Sequence, residues 1–234
     1  MSPIDTHDKT WGLVPAGGRG ERFGGEIPKQ LINIGGRPLL AWTLDRLLQS
    51  GLAGLTVALP ESWISSAAEL LPGYDRVVWV AGGATRQESV AACLQASPID
   101  ASLIMVHDGA RPAVSVRDVR ATIAAVGDHE GAILGRPIAD TLKRVDGGWI
   151  VGTIDRGSLF RAETPQVFRR DVLARALGDS LRDGFVGTDE ASMVERLEGV
   201  RIHAVMAEQP NPKLTQKQDL ELIKMLLLEE EDRG

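Results

Sequence analysis

The segment WGLVPAGGRGERFGGEIPKQL (Trp11–Leu31) joins a short apolar run to a loop rich in glycine and basic residues. Its first part, Trp11–Val14, is too apolar to be half exposed, so it predicts a buried strand. The loop that follows carries five glycines and three basic residues between Pro15 and Leu31. Glycines leave space beside the backbone and cations attract an anion, so the segment predicts an anion-binding loop at the end of a buried strand.

Five more apolar runs are predicted to be strands, and the amphipathic segments between them are predicted to be helices. The strands are Leu55–Leu59, Val77–Val80, Leu103–Val106, Ala132–Leu134 and Ile202–Val205. The helices are Pro38–Gly51, Glu61–Leu71, Gln87–Gln95, Val116–Val126, Asp189–Leu197 and Thr215–Leu228. Buried strands that alternate with helices predict an α/β fold with a Rossmann-like, mostly parallel sheet and helices on both faces. Ligands of such sheets bind beyond the carboxyl ends of the strands, where the glycine-rich loop begins.

One segment departs from this alternation. The residues ADTLKRVDGGWIVGTIDR (Ala139–Arg156) alternate between polar and apolar around Asp146-Gly147-Gly148, which predicts a β-hairpin. The hairpin is either an edge pair of the protein's own sheet or an arm that reaches another subunit. The local pattern by itself favours the edge pair.

The composition is that of one globular domain. The chain has 234 residues, of which 43% are hydrophobic and 25% charged, so we expect a polar tail at residues 1–10 and a single domain at residues 11–234. A lone cysteine, Cys93, excludes an intramolecular disulfide. The net charge of −6 argues against broad nucleic-acid binding. The N-terminus lacks the apolar core of a secretion signal, and no run of about 18 apolar residues occurs, so we expect a cytoplasmic protein with no membrane partner.

The glycine-rich loop does not match the two best-known phosphate-binding patterns. A dinucleotide fingerprint requires a third glycine where Phe23 follows Gly18 and Gly20, and a Walker loop requires Ser or Thr after the lysine, where Gln30 follows Lys29. Two interpretations remain: a surface loop with incidental charges, or a loop of another type whose amides surround a polyphosphate while basic side chains neutralise it.

Motifs outside the loop favour the second interpretation. The loop has the pattern P-A-x-G-x-G-x-R followed by P-K-Q-L, which resembles the signature of nucleotidyltransferases. Six further motifs follow it: GGATRQESV (Gly82–Val90), VHDGARP (Val106–Pro112), DTLKR (Asp140–Arg144), DRGSLFRAETPQVF (Asp155–Phe168), TDEAS (Thr188–Ser192) and NPKLT (Asn211–Thr215). The seven motifs occur in the order that they have in 2-C-methyl-D-erythritol 4-phosphate cytidylyltransferases, and the resemblance extends from Leu13 to the last helix.

The resemblance implies a reaction that joins CTP and 2-C-methyl-D-erythritol 4-phosphate into a CDP-alcohol with release of pyrophosphate. The attacking group is a phosphate monoester, which is mostly dianionic at neutral pH, so no general base is needed. Cations and backbone amides then have to stabilise the charge that builds up at the α-phosphorus. Mg²⁺ is expected to arrive on the CTP phosphates, and no protein ligand to the metal is nominated.

The resemblance also assigns roles to individual residues. The cations around the triphosphate and the α-phosphorus are expected to be Arg22, Lys29 and Lys213. The loop that lines the phosphates consists of Pro15, Ala16, Gly17, Gly18 and Gly20, and the cytosine is expected near Gly82, Gly83 and Ser89. Asp108 is expected to accept hydrogen bonds from acceptor hydroxyls, with Arg111 assisting at the acceptor, while His107 is interpreted as structural. Thr188 with Asp189 and Glu190 is interpreted as a helix cap with an acidic first turn.

Related enzymes are homodimers whose hairpin arms embrace, so the resemblance replaces the edge-pair interpretation of the hairpin with that of an arm. Thr141, Arg156 and Thr164 are then expected to enter the acceptor pocket of the partner, where Arg156 holds the acceptor phosphate.

Two other functions compete with this one. A ribitol 5-phosphate cytidylyltransferase shares the motifs and the mechanism, and a regulatory module binds the nucleotide without turning it over. A nicotinamide dehydrogenase is excluded by the spacing of the glycines.

Overall fold

The fold is built on a seven-stranded sheet. The computed structural model of the protein describes residues 10–18 and 28–231. In this part of the chain the strands are β1 (Thr10–Pro15), β2 (Asn33–Ile34), β3 (Arg37–Pro38), β4 (Gly54–Leu59), β5 (Val77–Ala81), β6 (Leu103–Val106), β7 (Gly131–Pro137), β8 (Leu142–Asp146), β9 (Trp149–Ile154), β10 (Phe160–Arg169) and β11 (Ile202–Met206). The order in the large sheet is β11-β7-β10-β6-β1-β4-β5. All neighbours are parallel except β10, which runs antiparallel to both β6 and β7.

Helices cover both faces of this sheet. They are α1 (Leu39–Gln49), α2 (Glu61–Ile64), α3 (Ala67–Leu70), α4 (Arg86–Ala96), α5 (Val116–Ala124), α6 (Arg170–Asp183), α7 (Glu190–Val194) and α8 (Asp219–Glu231), with a 3₁₀ turn at Lys29–Leu31. Neighbouring residues of β1 pack in opposite directions, since Val14 joins the core cluster of α1 and Leu13 joins that of α4. The Rossmann-like α/β prediction is therefore confirmed. Within the described residues, no helix has both the length and the apolarity to cross a membrane.

The six predicted strands are all present, and their ends differ from the predicted ones by at most three residues. The predicted strands at Leu55–Leu59 and Leu103–Val106 correspond to β4 and β6, which are buried along their whole length. Continuous burial is what runs of Leu, Ile and Val predict in a parallel sheet that is covered on both faces.

The prediction was incomplete or wrong in several elements. The expected helix Glu61–Leu71 is interrupted into α2 and α3, and the last helix begins at Asp219 rather than Thr215. The expected helix at Asp189–Leu197 is shorter, because α7 ends at Val194. Strand β10 and helix α6 were not predicted. Buried polar residues interrupt the apolar pattern of β10, whereas α6 does carry buried apolar residues at helical spacing.

The predicted hairpin is present as the pair β8–β9. Gly147 and Gly148 have φ values of 52° and 86° at its turn, a conformation that glycine adopts without strain. The two strands form a sheet of their own that is separate from the seven-stranded one. The edge-pair interpretation that the local pattern favoured is therefore wrong, and the hairpin has the geometry of an arm.

Candidate active site

The carboxyl ends of parallel strands β1, β4, β5 and β6 meet at one edge of the sheet, and a cleft opens there. Such an edge is where open α/β sheets bind ligands. The described residues that line the cleft are Pro15, Gly17, Gly18, Lys29, Gln30, Gly83, Ala84, Thr85, Arg86, Ser89, Asp108, Ala110 and Lys213. Most of the predicted nucleotide-binding and cationic residues thus meet in one cleft, although they are far apart in the sequence.

Two glycines allow the loops after β1 and β5 to pass close to each other. A β-carbon on Gly17 would lie 3.2 Å from the α-carbon of Gly82, and one on Gly82 would lie 3.0 Å from Oγ of Ser89. A side chain at either position would force the neighbouring atoms to move by a few tenths of an ångström. The glycines therefore bring backbone from two strand ends to the wall of the cleft.

Ser89 stabilises the turn that enters α4. Its hydroxyl accepts a hydrogen bond from the amide of Gly83 at 3.1 Å and donates one to the carbonyl of Thr85 at 3.0 Å. Thr85 and Glu88 form a capping box at the start of α4, which fixes the same turn from its other side. The local chain is thereby held in one conformation against the cleft.

Asp108, which follows β6, is surrounded by three cationic side chains. Its carboxylate lies 3.0 Å from Nε of Arg86, 2.7 Å from Nζ of Lys213 and 3.6 Å from Nε of Arg111. Burial by itself raises the pKa of Asp108, but the nearby Arg86, Lys213 and Arg111 outweigh it and hold the pKa well below its usual range. Asp108 is therefore ionised across the physiological pH range.

A second carboxylate holds Arg86 from the opposite side. Glu190, the first residue of α7, has no solvent exposure and accepts two hydrogen bonds from the Arg86 guanidinium, at 2.7 and 2.9 Å. Burial raises the pKa of Glu190, and Arg86 opposes that rise. The N-cap of α7 is Asp189, the first residue of the predicted helix, rather than Thr188 before it. Arg86 was not among the predicted site residues, although it lies inside the GGATRQESV motif.

His107 and Thr164 fix the backbone at Asp108. Nε2 of His107 lies 3.1 Å from the carbonyl of Arg111, which can only accept, so this nitrogen carries the proton. Nδ1 then accepts from the Thr164 hydroxyl at 3.1 Å, and that hydroxyl oxygen accepts from the amide of Asp108, also at 3.1 Å. Burial lowers the pKa of His107 to about 4, so the ring is neutral at physiological pH. His107 has the structural position that was expected of it.

The two lysines of the cleft lie beside the same chain segment. Lys29 donates a hydrogen bond to the carbonyl of Leu214 at 2.7 Å, next to Lys213. Asn211 anchors this segment, since its side-chain amide donates to the carbonyl of Thr164 at 2.8 Å and its own carbonyl accepts from Arg111 at 2.7 Å. Hydrogen bonds therefore join the motifs VHDGARP, DRGSLFRAETPQVF and NPKLT into one unit.

Some predicted residues lie elsewhere. Thr164 is only 4% exposed and bonded within its own chain, so the expectation that it enters a partner's pocket is wrong. The amide of Ala16 is bonded to the carbonyl of Ala58, so it cannot bind a phosphate as expected. Thr141 and Arg156 are on the exposed hairpin segment, away from the lining of the cleft. The predicted residues Gly20 and Arg22 lie outside the described residues.

Few metal ligands lie among the described residues of the cleft. In the two described ranges, no group of three or more His, Cys, Asp or Glu side chains is close enough to hold one. The only carboxylate among the described lining residues is Asp108, and cations already surround it. Glycine backbone and positive side chains at the strand ends are suited to polyphosphate rather than to a protein-held metal.

A mostly parallel α/β sheet with a glycine-lined cleft and cationic side chains at its strand ends is the arrangement expected of a nucleotidyltransferase, and the comparisons with known proteins show that class. The model of the family IspD, 2-C-methyl-D-erythritol 4-phosphate cytidylyltransferase, matches residues 11–229. The chain belongs to this family.

Curated relatives agree with this family. The chain is 39% identical over 221 residues to the 2-C-methyl-D-erythritol 4-phosphate cytidylyltransferase of Symbiobacterium thermophilum, covering 93% of this chain and 92% of the relative. It is 43% identical over 232 residues to the protein of the same name from Stenotrophomonas maltophilia, covering 93% and 96%.

Solved structures match the fold over nearly the whole chain. The Thermus thermophilus 2-C-methyl-D-erythritol 4-phosphate cytidylyltransferase is 34% identical with a TM-score of 0.77, covering 92% of this chain and 97% of that one. The Francisella tularensis protein is 29% identical with a TM-score of 0.80, covering 93% and 99%.

Proposed function

We propose that the chain transfers the cytidylyl group of CTP to 2-C-methyl-D-erythritol 4-phosphate, giving 4-diphosphocytidyl-2-C-methyl-D-erythritol and pyrophosphate in the non-mevalonate route to isoprenoid precursors. The family supports this substrate pair. The observation that carries the proposal is the position of Lys213, which borders the glycine-lined cleft with Lys29 and contacts Asp108 at 2.7 Å.

The nucleotide occupies the cleft between the loops after β1 and β5. Gly17 and Gly18 lie against the phosphates, and the turn at Gly82 and Gly83 borders the base. Ser89 holds this turn through its hydrogen bond to the Gly83 amide, so its contribution to base recognition includes the shape of the turn. A pyrimidine suits a site with so little room between two backbone segments.

The reaction needs positive charge rather than a base. An oxygen of the acceptor phosphate attacks the α-phosphorus of CTP, and the bond from that phosphorus to the leaving pyrophosphate oxygen breaks. Lys29 and Lys213 stabilise the charge on the oxygens of the α-phosphate as the five-coordinate transition state forms. Loss of one such positioned donor typically lowers the rate by about 10²–10³.

Asp108 orients the cations on the acceptor side of the cleft. Because Arg86, Lys213 and Arg111 surround its carboxylate, its first contribution is to hold them in place before substrate arrives. The predicted hydrogen bond from an acceptor hydroxyl to Asp108 stays a prediction. Arg111 is the second residue assigned to the acceptor.

Mg²⁺ enters with the CTP phosphates in this proposal, where it supplies charge neutralisation of the triphosphate. Asp108 is the one carboxylate among the described residues that line the cleft, and its cationic neighbours make it a poor ligand. The ion is therefore coordinated mainly by phosphate oxygens and water.

The hairpin β8–β9 is proposed as the arm of a homodimer. It exposes Trp149 and Val151 on one face and Val145 and Ile150 on the other, and Trp149 is 78% exposed. Apolar side chains on both faces of an isolated hairpin need a covering surface, which a second copy supplies. Arg156 and Thr141 would then reach the acceptor in the partner's site, with Arg156 on the acceptor phosphate.

The test of the reaction is incubation with CTP, Mg²⁺ and a panel of polyol phosphates, followed by mass spectrometry of the products. The expected result is a CDP-linked product and pyrophosphate with 2-C-methyl-D-erythritol 4-phosphate. A faster reaction with ribitol 5-phosphate would assign the chain to that activity instead. Binding of CTP without pyrophosphate release for any acceptor would favour the regulatory module.

The test of the shared site uses two inactive variants, Arg156→Ala and Lys29→Ala, mixed in one preparation. Each variant alone is expected to have low activity. Mixed dimers are expected to regain activity, because one of their two sites combines an intact arm with an intact lysine. No recovery in a preparation with proven subunit exchange would argue for self-contained subunits.

A further inference from the structure

A second cavity adjoins the cleft on the side of the segment that carries Lys213. Its volume is about 530 Å³, within the range of roughly 300–1,000 Å³ that is typical of small-molecule sites. Its charged and amide lining residues are Arg111, Arg136, Arg161, Glu163, Asn211 and Lys213. Lys213 is the one described residue that lines both the cleft and this cavity.

The cavity contains one carboxylate among four cationic side chains. Glu163 is only 4% exposed, and its Oε1 lies 3.1 Å from a nitrogen of Arg161 and 3.5 Å from Nε of Arg136. Its other oxygen, Oε2, is shielded from solvent and has no donor. A buried acceptor without a donor is unfavourable, so this oxygen is suited to a donor that a ligand brings.

Two neighbouring atoms have the same property. Oδ1 of Asn211 and Nε of Arg111 are also buried without a hydrogen-bond partner, although Nε of Arg111 lies 3.6 Å from the carboxylate of Asp108. In the described part of the chain only five side-chain atoms are in this state, and three of them belong to residues that line this cavity. The unused hydrogen-bonding capacity of the described chain is thus concentrated at one place.

The available atoms select the chemistry of the ligand. Glu163 and Asn211 offer acceptors, so the ligand must present donors, while the surrounding guanidinium groups repel an ammonium. Neutral hydroxyl groups satisfy both conditions. A ligand with several hydroxyls and an anionic end fits the cavity, because Lys213 stands at the boundary with the cleft.

We propose that this cavity holds the polyol part of the phosphorylated acceptor and that Glu163 is a specificity-determining residue, accepting a hydrogen bond from an acceptor hydroxyl. This inference rests on the proposed function. The phosphate of the acceptor has to reach the nucleotide, so it lies at Lys213, and its carbon chain extends away from the cleft. Arg136 and Arg161 keep the carboxylate in place, and the exposed Arg161 leaves room for a small movement that opens Oε2 to the ligand.

The test is the Glu163→Gln variant, which keeps the shape of the side chain but removes its charge. The KM for the acceptor is expected to rise about tenfold, while kcat and the KM for CTP change less than about twofold. The matched control is Glu208→Gln, which removes a carboxylate that also pairs with an arginine but lines neither the cleft nor the cavity. An unchanged acceptor KM, or an equal rise in both KM values, would overturn the proposal.

Acceptors that lack one hydroxyl separate recognition from a structural role. One deoxy analogue is expected to bind the wild-type protein about tenfold less tightly than the complete acceptor does. The Glu163→Gln variant is expected to bind this analogue and the complete acceptor equally well. If Glu163→Gln does not fold, Glu163→Asp is measured in its place, since it keeps the charge and withdraws the carboxylate from the cavity. Equal discrimination by wild type and variant against every analogue would refute a contact with Glu163.

The cavity assignment can also be tested if the protein does not catalyse the proposed reaction. If the wild-type protein releases no pyrophosphate with any polyol phosphate, acceptor binding is measured by calorimetry on wild type and Glu163→Gln. Weaker binding to the variant would support the cavity assignment without the reaction. Absence of binding to wild type would overturn it.

Discussion

Replacement of Arg86 by methionine is expected to destabilise the protein strongly, because two buried carboxylates depend on this side chain. Glu190 has no solvent exposure and loses both of its hydrogen bonds to the guanidinium. Asp108 loses one of its three cationic partners, the Arg86 Nε at 3.0 Å. Removal of one member of a buried ion pair typically costs about 3–5 kcal/mol. For a chain of this length, that corresponds to a fall in Tm of about 6–20 °C.

The loss is expected to grow with pH. Without Arg86, burial is the dominant influence on Glu190 and raises its pKa further, so the folded state binds a proton that the unfolded state releases. Stability then falls as the pH rises from the ordinary range of glutamate through the raised pKa. The difference in unfolding free energy between wild type and variant is therefore larger at about pH 8 than at about pH 5, close to the ordinary pKa of glutamate.

The assay is thermal and denaturant unfolding of both proteins at the two pH values. Adding Glu190→Gln to the Arg86→Met variant is expected to recover part of the lost stability, since it removes the unpaired charge. Arg182→Met is the matched control: Arg182 pairs with Asp179 at the surface and is expected to contribute less than about 1 kcal/mol. An Arg86→Met effect as small as that of the control, or one that does not depend on pH, would refute this account of the pair.

Four further predictions concern the cleft and the arm. Gly83→Ala would place a β-carbon 2.3 Å from the β-carbon of Glu88, so it is expected to raise the KM for CTP more than that for the acceptor in steady-state kinetics. The pKa of His107 is lowered from 6.5 to about 4, so between these pH values the unfolded chain binds a proton at this residue that the folded chain does not. The residue therefore lowers the free energy of unfolding as the pH falls through that range. The free energy of unfolding of His107→Gln is therefore expected to depend less on pH in that range than that of the wild type. An equal pH dependence of the two proteins in denaturant unfolding would contradict this. Asp108→Asn is expected to lower kcat about a hundredfold, because the surrounding cations lose the carboxylate that holds them, and to raise the acceptor KM as well if Asp108 accepts the predicted hydrogen bond from an acceptor hydroxyl; an unchanged kcat would refute its role in placing the cations. Trp149→Glu, which adds a charge to the apolar arm, is expected to shift the protein toward monomer in sedimentation velocity, and a persistent dimer would locate the interface elsewhere.

The sequence indicated the strands and much of the cleft, because both depend on local pattern. The apolar run at Leu103–Val106 predicts its own burial, and a loop at the end of such a strand has a known place in a parallel sheet. The pairing of Arg86 with Glu190 joins residues 104 positions apart, and no local pattern predicts it. The same holds for Glu163, which interrupts the apolar pattern of β10 and is buried because arginines surround it.

The cleft and the adjoining cavity share one electrostatic arrangement, in which a buried carboxylate fixes arginines at each position where we propose that an anion or a hydroxyl binds. Asp108 fixes Arg86 and Arg111, Glu190 fixes Arg86 from the opposite side, and Glu163 contacts Arg136 and Arg161, two of the three arginines that line the second cavity. Buried ion pairs contribute little net stability compared with apolar packing, so stability alone does not account for three such groups at one edge of the sheet. Their advantage lies in orientation, because cations that are already fixed need no rearrangement when negative charge develops in a transition state. A phosphate that enters this edge therefore meets donors whose geometry the carboxylates have set beforehand.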